Sequence, residues 1–158
     1  MTFQSDANSP SSHALLSCTD GLAAMWCDFL LLVGRVLVGL VFVVYGWDHI
    51  LDIPKWAATF PGRGLAPWMA YIAAPAEILG GLFLILGFAT RYTVLVLLFF
   101  MIVAAFSSHA FWSVLPAQRG NQGAHFWKNI TIIGGLVVLF VTAGGRISLD
   151  RMLFRSKS

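Results

Sequence analysis

Four long apolar runs, separated by short polar breaks, set the pattern of the chain. They cover about 29–50, 69–90, 92–108 and 126–143. A helix rises ~1.5 Å per residue and a bilayer core is ~30 Å thick, so each run is close to the length of a transmembrane helix. The pattern predicts an all-α protein, an integral membrane four-helix bundle.

Within the first run, FLLLVGRVLVGLVFVVYGWDHI, the unusual residues are periodic. Arg35, Gly39, Phe42, Gly46 and His49 are spaced by 4, 3, 4 and 3, which puts all five on one helical stripe. The other faces carry Leu, Val and Phe, suited to lipid. Span one therefore reads as a helix with one polar, small-residue face turned into a bundle.

The second run, MAYIAAPAEILGGLFLILGFATR, carries Glu77 near its middle, with Pro75 before it and Gly80-Gly81 after it. A charge at that depth costs at least ~2.5–3.5 kcal/mol and needs a partner or a wet cavity. Arg91 ends the run and leads almost directly into the third, which makes spans two and three antiparallel neighbours. The third run is uniform until Ser107, Ser108 and His109. The fourth opens on Lys128-Asn129 and holds Gly134-Gly135. The glycines Gly39, Gly46, Gly80, Gly81, Gly134 and Gly135 are the expected sites of close helix approach.

The breaks define the organisation. Residues 1–27 are polar, then mildly apolar, and lack Lys and Arg, with Asp20 interrupting the apolar part. They read as a polar, interfacial extension rather than a cleaved secretory signal. The tetrad Leu15-Leu16-Ser17-Cys18 only faintly resembles a lipoprotein cleavage box. A four-span domain is expected over 28–145 and a basic tail, with a short surface helix, over 146–158. Residues 52–67 form a Pro- and Gly-rich loop bracketed by Trp47, Trp56 and Trp68, as expected where a chain meets the membrane–water interface. Residues 110–125 form the longest connection between the later spans.

Composition agrees with the pattern. Of 158 residues, 58% are hydrophobic and 11% charged, and the mean hydropathy is +0.80, which excludes an ordinary soluble domain. Ten Lys and Arg against seven Asp and Glu are spread thinly, which argues against a nucleic-acid partner. Cys18 and Cys27 form neither a C-x-x-C nor a metal-ligand spacing. Arg91, Arg146, Arg151, Arg155 and Lys157 lie on the side of the termini, against Lys55, Arg63, Arg119 and Lys128 opposite. That excess places both termini in the cytoplasm.

Two sets of side chains are candidates for chemistry. The first is a buried polar pair, Arg35 and Glu77. Counted from Phe29 and from Arg91, they lie ~9 Å and ~21 Å deep, a gap that two extended side chains nearly close. The alternative is that Arg35 snorkels to the nearer interface. The second set is a rim at the outer ends of the spans: Asp48, His49, His109, His125 and Lys128, with Asp52 beside them. Such a rim suits proton handling or a polar ligand. No His pair at metal-ligand spacing occurs, so no metal is expected. Trp47, Trp112 and Trp127 near this rim are compatible with a flat slot for a quinone ring. No phosphate loop, dinucleotide fingerprint, haem attachment or nucleophile elbow is present.

Several residues together resemble the DoxX family. They are Gly34-Arg35 with Gly39 and Gly46, Ala76-Glu77-x-x-Gly80-Gly81 with Gly87-x-x-x-Arg91, Lys128-Asn129, and Gly145-Arg146-x-Ser148-Leu149-Asp150. The match runs from about 29 to 153. The resemblance implies a small four-helix inner-membrane protein linked to oxidoreductases, with relatives in quinone-linked thiosulfate oxidation, terminal oxidase complexes and thiol-stress complexes. It transfers Arg35 and Glu77 as a polar interior pair and supplies no catalytic residue. Many relatives carry a lysine where this chain has His49.

The expected function is thus a subunit of a quinone- or thiol-linked redox system in the bacterial inner membrane. It has no redox motif of its own, so it needs a protein partner or a homo-oligomer, and no cofactor is evident beyond a quinone. The alternatives are a non-catalytic membrane scaffold and, behind both, a small-solute or proton pathway.

Overall fold

The computed structural model describes residues 13–154, with side chains from 21 to 153. The start of the expected extension, residues 1–12, and the Cys18 side chain lie outside that description. The elements are α1 (His13–Leu51), α2 (Ile53–Ala57), a single 3-10 turn (Pro61–Arg63), α3 (Met69–Leu86), α4 (Thr90–Ser108), α5 (Pro116–Thr142) and α6 (Leu149–Phe154). The four long helices each contain a stretch apolar enough to cross a membrane. The fold is an all-α membrane bundle.

Helix boundaries follow local chemistry. Gly87 takes the left-handed conformation at φ 67° and ends α3, its N–H returning to the Leu84 and Phe83 carbonyls. Pro116 opens α5 at a position where its missing N–H costs nothing. The helix therefore starts well before residue 126, and more than half of the expected 110–125 loop is helical. Likewise α1 runs unbroken from His13, so the second part of the expected extension is continuous with the first span. The carboxylate of Asp52 caps α2 by accepting from the Lys55 N–H at 3.1 Å.

The core takes residues from each long helix: Phe42 from α1, Leu84 from α3, Val94, Leu97 and Met101 from α4, and Leu136 and Leu139 from α5. A smaller cluster, Ala57, Phe60 and Ala70, sits under the loop. Outward positions such as Leu37, Phe99 and Val141 are exposed. That arrangement suits lipid, which solvates apolar side chains as well as a core does.

The tightest seam joins α1 to α3. A Cβ added at Gly39 would lie 2.7 Å from the Gly81 carbonyl oxygen, and one at Gly81 would lie 2.7 Å from the Gly39 oxygen. A Cβ at Gly46 would lie 3.0 Å from the Ile78 nitrogen. The two backbones touch, and the helices run antiparallel with Gly46 opposite Ile78 and Gly39 opposite Ile85. Gly80 faces Leu97 of α4 instead. Gly135 makes ordinary contact with Val38 of α1, whereas Gly134 borders open space. Gly134 is therefore not a packing glycine.

Candidate functional site

The α1–α3 register decides which buried charges can meet. Arg35 lies beside Gly87, where no Cβ could fit. Glu77, ten residues earlier on α3, lies ~15 Å away along the helix. The expected Arg35–Glu77 pair is accordingly absent. A depth count from the span ends requires the two spans to be level, but α1 ends opposite the second turn of α3.

Arg35 is fully buried and donates to the carbonyl of Ile147, just beyond α5. Its Nε and Nη1 have no hydrogen-bond partner. Around it the C-terminal segment is bolted to the bundle. The Asp150 carboxylate accepts from the N–H of Ala89 at 2.6 Å, the N–H of Thr90 at 2.8 Å and the Thr90 hydroxyl at 2.7 Å. Its own N–H donates to the Gly87 carbonyl at 2.9 Å. Asp150 thereby caps α4 and holds the α3–α4 turn, in which Ala89 adopts φ 45°. The Arg146 N–H donates to Asp28 of α1 at 2.7 Å. Residues 145–150 act as a structural clasp, and Arg35 neither snorkels outward nor serves Glu77.

Glu77 is answered by His49, whose Nδ1 lies 2.8 Å from Oε2. Glu77 is buried and His49 about one quarter exposed. With a carboxylate, Nδ1 carries the shared proton; with a carboxylic acid, the acid donates to the ring. The pair can pass one proton between a buried oxygen and a partly open ring. Trp56 stacks flat on His49, with centroids 3.8 Å apart and planes 9° from parallel. The Gly46-to-His49 step on the first-span stripe held the signal for this contact, because Gly46 abuts Glu77 itself.

The expected rim divides. His49 turns inward to Glu77, while Asp48 is exposed and forms no hydrogen bond or ion pair among the described residues. His109 and His125 stack on each other, with centroids 5.0 Å apart. The Nδ1 of His109 lies 2.8 Å from Gln122 Oε1. Burial pushes the His109 pKa down; the Gln122 hydrogen bond opposes this, and His125, Lys128 and Arg63 reinforce it. Lys128 lies over the Tyr45 ring at 4.4 Å and donates to its hydroxyl at 3.2 Å.

Between α3 and α4 runs an open, apolar groove of about 370 Å³, within the size range of small-molecule sites. Trp56, Phe60, Trp68 and Phe100 give it aromatic walls, and Arg63 and Ser108 stand at its polar end. Arg63 donates to the Ser108 hydroxyl at 3.1 Å, and burial pushes its pKa down. Trp56 and Trp68, expected as interfacial anchors, line this groove, and Arg63 and Ser108, expected only as a flanking charge and a span end, meet in it. A cation two residues beyond a proline and flanked by tryptophans was the available hint.

The DoxX family model matches residues 30–110. The chain is 31% identical over 124 residues to the Inner membrane protein YphA of Escherichia coli K12, covering 77% of this chain and 89% of that one. It is 32% identical over 126 residues to the Inner membrane protein YqjF of the same organism, covering 80% and 93%. A shorter stretch of 57 residues is 35% identical to the "Putative oxidoreductase CatD" of Bacillus subtilis 168, covering 36% of this chain and 42% of that one. No solved structure matches the chain.

Proposed function

The chain belongs to the DoxX family, and from that premise we propose that it is a quinone-binding subunit of a redox system in the bacterial inner membrane. The reading rests chiefly on Trp56. One part of this indole walls the α3–α4 groove, and one face lies on His49, which shares a proton with Glu77. A slot for a flat apolar ring thus adjoins a proton-sharing pair. Reduction of a quinone consumes two electrons and two protons, and the chain contributes a place for the ring and a route for protons. Electrons come from a partner protein, because the sequence holds no flavin, haem or iron–sulfur motif. The name of the Bacillus relative, an oxidoreductase, supports the same direction. Both termini face the cytoplasm in this reading, in keeping with the basic residues on their side.

The test is a titration of the purified full-length protein in mild detergent with menadione, followed by tryptophan fluorescence. Saturable quenching is expected, weakened about tenfold or more by Trp56→Ala and unchanged by Trp127→Ala, which lies outside the groove. Absence of saturable binding, or equal effects of the two substitutions, rejects the quinone reading.

A scaffold role draws on a different observation, the clasp of Arg35 and Asp150 over the α3–α4 turn. It predicts constant co-purification with one protein and no quinone in extracts of that complex.

A further inference from the structure

Arg63 of the groove belongs to a wider basic cluster. Arg63, His109, His125 and Lys128 gather at one end of the bundle: Arg63 bonds to Ser108 beside His109, His109 stacks on His125, and Lys128 follows His125 by three residues on α5. The two ion pairs among the described residues, His49–Glu77 and Arg146–Asp28, lie elsewhere. Arg63 is half-buried with a serine hydroxyl for its partner, and Lys128 rests on a tyrosine ring. His109 is turned to Gln122. Two permanent cations and two bases therefore share this end, with no carboxylate within 4 Å of any of them among the described residues. A guanidinium drawn partly out of water without an opposing charge is unfavourable, and a cluster of like charge beside low-dielectric walls concentrates its field. An anion at that point relieves both costs.

Resting on the reading of the groove as a quinone site, we infer that its preferred occupant is an anionic ring: a quinonoid or phenolic headgroup with an ionised hydroxyl, its oxygen at Arg63 and Ser108. The walls choose the ring. Trp56, Phe60, Trp68 and Phe100 offer faces and edges to a flat aromatic system, which an acyl chain does not require. Arg63 chooses the charge, because an ionised oxygen adds an opposing charge to the hydrogen bond and offsets the cost of holding a half-buried guanidinium unpaired. The Ser108 hydroxyl, now an acceptor from Arg63, can rotate to donate to the same oxygen.

Two naphthoquinones of similar size separate the possibilities: lawsone, whose hydroxyl is ionised near neutral pH, and menadione, which is neutral. Both are titrated against the full-length protein in nonionic detergent at low salt. Lawsone is expected to bind about tenfold tighter. Arg63→Gln removes that preference while leaving menadione within about twofold, and Arg63→Lys retains most of it. Thermal melts of each variant confirm that it is folded. Equal affinity for the two rings in the wild type, or a preference that survives Arg63→Gln, overturns the inference and leaves the quinone reading standing. Failure of both rings to bind removes the quinone reading and the inference together. Saturable binding of short-chain phosphatidylglycerol with no discrimination between the rings assigns the basic mouth to a lipid phosphate instead.

Discussion

His49 of α1 and Glu77 of α3 are joined at 2.8 Å across the seam where the two helices approach most closely. The carboxylate lies deep in the second span, so its only described ionisable partner controls whether it can hold a charge there. A carboxylate left without that partner pays the desolvation cost in full.

A double-mutant cycle measures this link. Glu77→Gln and His49→Gln are expected to lower stability in detergent with a coupling of about 0.5–3 kcal/mol. The same cycle between Glu77→Gln and Arg35→Gln is expected to be additive within about 0.5 kcal/mol, because those side chains serve different sites. Strong coupling in the second cycle contradicts the structure.

The glycine seam predicts a contrast. At Gly39 and Gly81 an added methyl meets the opposing backbone oxygen at 2.7 Å. Gly39→Ala and Gly81→Ala should each cost about 1–3 kcal/mol as the helices are forced apart. Gly134→Ala meets open space, and its helix propensity should make it neutral or stabilising by up to about 1 kcal/mol. Thermal unfolding of the three variants side by side decides the matter.

Asp150 accepts three hydrogen bonds from the start of α4. Asp150→Ala should lower stability by about 1–2 kcal/mol, and Asp150→Asn by less, because one amide oxygen still accepts. The alanine variant should also lose its C-terminal segment faster to a protease. Unchanged proteolysis would show that Arg35, Asp28 and the backbone bond from residue 150 to Gly87 hold the clasp without this carboxylate.

His109 gives stability a pH dependence. Burial and its basic neighbours hold its pKa below the usual 6.5, so the folded protein binds this proton less readily than the unfolded chain. That contribution is complete above about pH 6.5 and is lost as the pH falls toward the lower folded value. Wild-type melting temperature should therefore drop on acidification through that window, and His109→Gln should flatten the drop. A curve identical in the two proteins refutes the assignment.

Much of this architecture could be read from the sequence, and the residues show where reading failed. The stripe through Gly39, Gly46 and His49 did mark the face that meets α3, because periodicity within one helix is local information. The partner of Glu77 was misjudged because pairing depends on how two helices are offset. That offset is set by the α2 segment and the loop, which let α3 begin beyond the end of α1. The role of Asp150 has no local signature, since the N–H groups that donate to its carboxylate sit about 60 residues away. The groove escaped altogether. Its walls come from α2, α3 and α4, and no single segment carries a pattern that announces a space between helices.

The backbone-to-backbone seam also bears on how the bundle assembles. Where glycine meets glycine, no rotamer is frozen, so closing α1 on α3 spares the side-chain entropy that a Leu-on-Leu interface would lose. The gain in lipid comes from close dispersion contact, available as soon as those two helices are side by side. They are also consecutive long helices, joined by the segment 52–68 that folds into α2 and the 3-10 turn. This two-helix hairpin is therefore the expected nucleus of folding in the bilayer, a template onto which α4 and α5 dock once synthesised. The groove then takes shape as α4 docks, as a gap between the finished template and its first addition.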